Sequence, residues 1–106
     1  MKQNNLSYQT MTKADIITEI SRSTGYEKIA VQAVIDKLME VVKDSMSEGE
    51  KVSLRGFGTF VVKKRKAKVA RNISKNTAVY IEERLMPVFK ASKAFVDQLK
   101  EKGTDL

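Results

Sequence analysis

Residues 51–81 read KVSLRGFGTFVVKKRKAKVARNISKNTAVYI, and this stretch decides the fold. At its start Val52 and Leu54 alternate with Lys51, Ser53 and Arg55, the period of a strand with one buried face. Gly56-Phe57-Gly58 then permits a tight turn into Thr59-Phe60-Val61-Val62, so the segment opens as a hairpin. Farther on, β-forming Val69, Val79, Tyr80 and Ile81 flank the polar turn Ser74-Lys75-Asn76-Thr77, and a second hairpin follows the first.

The same stretch holds nine basic residues (Lys51, Arg55, Lys63, Lys64, Arg65, Lys66, Lys68, Arg71 and Lys75) and no Asp or Glu. The whole chain carries +7, so the other 75 residues sum to −2 and the basic character belongs to one element. A charge run is usually a solvated face. Such faces normally mix signs, however, because adjacent like charges destabilise strand pairs by a few tenths of a kcal/mol. A ribbon loaded this way has little to bury and is marginal until a polyanion neutralises it. A nuclear-localisation reading of KKRKAK matches any basic run of six. With roughly ten residues per strand at about 3.3 Å each, the hairpin reaches about 30 Å, enough to enter a groove of a nucleic-acid duplex. Ile73 stands near its tip, where a solvated turn would carry polar groups. Two roles are open to it: an apolar wedge between base steps, or cross-strand packing against Val79.

Outward from this stretch the period changes from two to that of a helix. Thr12 and Asp15 have the spacing of a capping box, ahead of the stripe Ile16, Ile17 and Ile20 and the terminating Gly25. A long helix from about Glu27 to Ser47 carries Val31, Val34, Ile35, Leu38, Val42 and Met46, with Gly49 as its stop. Met39 and Val41 widen its apolar stripe, either toward a dimer partner or toward the chain's own sheet. Downstream, Pro87 beside Val88 and Phe89 suits an edge strand, and Ser92 caps a final helix with Phe95, Val96 and Leu99. The expected architecture is α+β: two N-terminal helices, a three-stranded antiparallel sheet with a long protruding β-hairpin arm at about 63–83, and a short C-terminal helix. Residues 1–10 read as a flexible leader and 11–106 as a single domain. About 65 residues then remain for a core, which is marginal alone and favours one shared between two chains.

Composition narrows the function. With no His and no Cys, thiolate and imidazole metal sites are excluded, and catalysis would rest on carboxylates, Lys or Tyr. Glu82 and Glu83 are expected to point to opposite sides of a strand, and a strand Tyr such as Tyr80 is usually a packing residue. No enzyme, cofactor, metal or small-molecule substrate is therefore expected. No apolar run reaches the roughly 18 to 20 residues of a membrane helix, and the start lacks a secretory signal, so a soluble intracellular protein is expected.

The ordered set Gly56-Phe57-Gly58-Thr59-Phe60, Arg65, Lys68, Arg71-Asn72, then Pro87, Phe89, Lys90, Ala91 and Lys93 resembles the bacterial HU and integration host factor family of histone-like DNA-binding proteins, over about Met11 to Lys100. The resemblance implies an intertwined homodimer in the cytoplasm, associated with the nucleoid. Its two β-arms would embrace the minor groove of double-stranded DNA, bend it, and prefer bent or distorted forms. It places arm contacts at Lys63, Arg65, Lys68, Arg71 and Asn72, in an arm that also carries Lys66 and Lys75, and body contacts at Arg55, Arg84, Lys90 and Lys93. Ile73 stands where the family has an intercalating proline, and Ala70, Asn76 and Leu85 also depart from its pattern. The alternatives are a site-specific subunit like integration host factor or, from another class, a module for anionic membrane or acidic protein. The segment lacks the Trp, Phe and Leu face of a membrane-binding helix.

Overall fold

The computed structural model describes residues 9–103; most of the expected leader and the last three residues lie outside the described residues. The first helix, α1 (Lys13–Thr24), begins at the expected capping box. Thr12 Oγ1 accepts from the Asp15 backbone N–H at 3.2 Å, and Asp15 Oδ2 accepts from the Thr12 N–H at 3.0 Å. Those bonds, the Thr12 backbone N–H first and its hydroxyl second, hold the Asp15 carboxyl below the usual Asp range. Gly25, at φ 85°, ends the helix by donating its N–H to the Ser21 carbonyl. The second helix, α2 (Lys28–Ser47), follows within three residues, and Lys13 Nζ reaches Asp36 Oδ1 at 2.7 Å between the two. Both partners are half exposed, so this ion pair contributes under about 1 kcal/mol.

The chain divides into two compact units, one made of α1, α2 through Asp44 and the segment from Val96, the other of Ser45–Phe95. In the first unit Ile17 and Val31 are buried, while Ile16, Val34, Leu38 and Val41 remain exposed.

In the second unit the strands are β1 (Val52–Leu54), β2 (Gly58–Arg65), β3 (Lys68–Asn72), β4 (Thr77–Ile81) and β5 (Arg84–Ala91), and α3 (Lys93–Gly103) starts there. Ser92 caps α3, its Oγ accepting from the Phe95 N–H at 3.1 Å. The three-stranded sheet has the order β1-β2-β5, all antiparallel, and β3 and β4 form a separate two-stranded ribbon. Pro87 lies on β5, an edge strand, as its missing N–H requires. Phe60 and Phe89 are cross-strand partners with ring centroids 4.9 Å apart, and Phe57 and Phe95 complete an aromatic cluster with them.

The three-stranded antiparallel sheet is as expected, and the strand pairing resolves the path through 51–81: β2 pairs with β1 on one side and β5 on the other, and the ladder stops at Arg65 and Arg84 before β3 and β4 resume it. Arg65 and Arg84 face each other at that last rung, and directly opposed like charges weaken strand pairing. Beyond Ile81 the return of the path carries two acids. Glu82 and Glu83 lie in the interruption, outside any strand, and Glu83 Oε2 stands 3.5 Å from Lys64 Nζ.

The two glycines around Phe57 have different duties. Gly56, at φ 83°, makes the turn, closed by the Phe57 N–H donating to the Leu54 carbonyl. Gly58 is buried, and a Cβ there would sit 2.5 Å from the Lys90 carbonyl oxygen and from the Phe89 ring. Gly58→Ala is therefore expected to push β5 away and destabilise the fold by about 1–3 kcal/mol, against about 1–2 kcal/mol for Gly56→Ala from the left-handed backbone alone. Urea unfolding of both variants checks this, and an unchanged midpoint for Gly58→Ala would refute the close approach.

Candidate nucleic-acid interface

Because side chains alternate along a strand while direct cross-strand partners share a face, the register of β2 against β5 sorts the sheet. Phe60 with Phe89, Val62 with Pro87 and Lys64 with Leu85 take one face. The other carries Thr59 with Lys90, Val61 with Val88, Lys63 with Met86 and Arg65 with Arg84. Four of the expected contact residues, Lys63, Arg65, Arg84 and Lys90, are thus brought onto one face by two strands. The crowding is felt at Lys63. Its ammonium is held below the usual lysine range, first by hydrogen bonding to Lys90, then by the charge of Lys90, with partial desolvation and Arg65 adding to it. Arg84 Nη1 is buried with no hydrogen-bond partner. Beside this face an open cleft of about 590 Å³ runs between Gly49–Lys51 and Val61–Lys64 and reaches Lys90.

The ribbon divides its cations instead of collecting them. Lys68 pairs with Ile81, Ala70 with Val79 and Asn72 with Thr77 on one face, whereas Arg71 pairs with Ala78 and Val69 with Tyr80 on the other. Lys68 and Arg71 therefore point to opposite sides. At the tip, Asn72 Oδ1 accepts from the Lys75 N–H at 3.3 Å and from Ser74 Oγ at 2.9 Å, closing an Asx-type turn, and Asn76 takes φ 54°. Arg71 Nη1 donates to Asn76 Oδ1 at 3.3 Å. Asn72 and Arg71, expected as contact residues, thus also build the turn that presents Ile73 and Lys75. Ile73 is 88% exposed and lies outside the ladder, and the partner of Val79 is Ala70, so cross-strand packing of Ile73 against Val79 is not realised.

The remaining expected residues lie apart from the four-cation face: Lys66 between β2 and β3, Arg55 in the turn after β1, and Lys93 at the first position of α3. Tyr80, which the sequence assigns to packing, is 67% exposed, because the ribbon has no third layer to cover it. That Lys63 and Lys90 share a face was missed, since it depends on a register between residues far apart in the chain. Charge alone had marked each of them singly.

The model of the bacterial DNA-binding protein family matches residues 11–100. A DNA-binding protein HU of Thermus thermophilus is 38% identical over 93 residues, covering 88% of this chain and 96% of that protein. An integration host factor subunit alpha of Anaeromyxobacter is 30% identical over 95 residues, 90% of this chain and 84% of its own length. Among solved structures, an Anabaena HU in a cocrystal with DNA superposes with a TM-score of 0.75 at 30% identity, covering 84% of this chain and 97% of that one. With a family match over 90 of its 106 residues and relatives aligned over nearly their full length, the chain belongs to the bacterial DNA-binding protein family of HU and integration host factor.

Proposed function

We infer that this protein is an architectural DNA-binding protein, acting on double-stranded DNA with little sequence preference and bending it. The observation that carries this reading is the face shared by Lys63, Arg65, Arg84 and Lys90, with its mutual repulsion. A row of phosphates relieves that repulsion. The relative solved with DNA supports the same ligand. Lys68, Arg71, Asn72 and Lys75 extend the contact along the ribbon, which acts as an arm in the minor groove, and Lys66, Arg55 and Lys93 add contacts at its base and on the body. Ile73, exposed at the tip, unstacks a base step at a cost of a few kcal/mol and so sets the bend. Because such contacts read little of the base edges, deformability governs preference, and bent or distorted DNA binds best. The work is done at the bacterial nucleoid.

The acting unit is a homodimer. Among the described residues the buried apolar side chains are Ile17, Val31 and Met46, a small core for a domain of this size. An apolar groove of about 410 Å³ lies open between α1 and α2, lined by Ile20, Val31, Val34 and Ile35 among others, and a second copy of the chain covers such a surface. A site-specific subunit like integration host factor is the second reading, favoured by the alpha-subunit relatives; equal affinity for random and selected duplexes decides against it.

If about 6 to 10 phosphates are neutralised, affinity falls about 10³- to 10⁵-fold between 50 and 200 mM salt, and an affinity indifferent to salt would refute the proposal. Lys68→Ala is expected to weaken binding and flatten the slope of log affinity against log salt by about one phosphate's worth. Ile73→Ala is expected to do the converse, reducing the bend seen by end-to-end fluorescence transfer on a short duplex far more than it reduces binding. Full bending by that variant would remove the wedge.

A further inference from the structure

On the ribbon face opposite Lys68, Tyr80 stands across from Val69, and both are about two-thirds exposed, at 67% and 68%. Cross-strand aromatic–aliphatic pairs stabilise a sheet by covering each other and a core. This pair covers little, and the two-stranded ribbon offers no layer beneath it. An exposed ring in such a place is a poor choice for stability alone. One rung nearer the tip on the same face lies Arg71, opposite the small Ala78; its guanidinium donates tipward to Asn76 Oδ1 at 3.3 Å, so the shallow platform is that of Tyr80 and Val69, with only Ala78 beside the ring along its own strand.

The ring has a flat face that accepts a nucleobase by stacking. The cations of the ribbon and the four-cation face beside it make nucleic acid the matching occupant. In an intact duplex the faces of the bases are covered by their neighbours, and a side chain on the flank of a ribbon meets sugar edges instead. A base displaced from the stack has its face free. Val69 lies four residues from Ile73, about 13 Å along the strand, or roughly four base steps. The platform therefore serves a position distinct from the step that Ile73 opens.

We propose that Tyr80 is a stacking site for an unpaired DNA base, so that this protein recognises bulged or gapped DNA by the extruded base itself as well as by its flexibility. The proposal rests on the reading of the ribbon as a DNA-binding arm. Stacking of one base on an aromatic ring is worth about five- to 150-fold in affinity.

The test uses three duplexes of one sequence: fully paired, with a single unpaired base, and with an abasic bulge at the same place, as flexible but with no base to stack. The full-length protein is expected to bind the base-containing bulge at least about fivefold more tightly than the abasic one. Tyr80→Leu is expected to abolish that difference while leaving affinity for the paired duplex within about twofold, and Tyr80→Phe to preserve it. Equal affinity of the wild-type protein for the two bulges would overturn the proposal, as would a difference that survives in Tyr80→Leu. Failure to bind the paired duplex, or binding indifferent to salt, would instead overturn the reading of the ribbon as a DNA arm. Circular dichroism matching the wild type, together with retained binding to the paired duplex, shows that the Tyr80→Leu variant is folded.

Discussion

The register of β2 against β5 is the constraint from which the rest of the second unit follows. Gly58 lies opposite Ala91 with space for no side chain of its own, because the Lys90 carbonyl and the Phe89 ring occupy that space. From this anchor the alternation of a strand puts Phe60 and Phe89 on one side and Lys63 and Lys90 on the other. A slip of one residue would exchange the faces, placing cations among the aromatic rings and rings among the cations. The four phenylalanines and the missing Cβ together forbid it. The same few contacts that hold the sheet therefore also compose its cationic face.

The two faces carry opposite energetic signs. The aromatic side gains from burial and from ring pairs worth about 0.5–1.5 kcal/mol each. Across the sheet, Arg65 opposes Arg84, and Lys63 is pressed by Lys90, so the charged side loses free energy whenever no anion is present. Such an arrangement persists because the aromatic side is strong enough to hold it. Sites poised for a ligand commonly have this character, with local cost tolerated for the sake of complementarity.

Much of this was legible in the residues, and the gaps have physical causes. Helix limits followed from caps: Thr12 with Asp15, Gly25 and Ser92 all act where spacing placed them. The first hairpin was equally clear, since Val52, Leu54 and Phe60 keep a strict period. The path from Lys63 to Leu85 was legible only in part: the second hairpin and its polar turn were read, the break in the ladder was not. A ribbon that packs on nothing has no apolar period to display, so its strand limits are set by pairing between distant residues, and that pairing also hid the return of Glu82 and Glu83. Expected contact residues were chosen by charge, which identifies cations but not their faces; only the register separates Lys68 from Arg71 and puts Lys63 and Lys90 on one face. Tyr80 was assigned to packing because β-propensity cannot tell a covered strand from a bare one.

The interrupted ladder at Lys66-Ala67 and Glu82-Glu83 has a mechanical meaning. Continuous strand ladders transmit their right-handed twist from rung to rung, so a ribbon paired without a break would inherit its pitch from the sheet. Here the coupling is relaxed for two residues on each strand, and the five rungs of β3 and β4 can adopt a winding of their own. The sheet and the ribbon are thus not bound to share one pitch. On the proposed reading of the ribbon as an arm, its winding can follow a groove without disturbing the aromatic anchor.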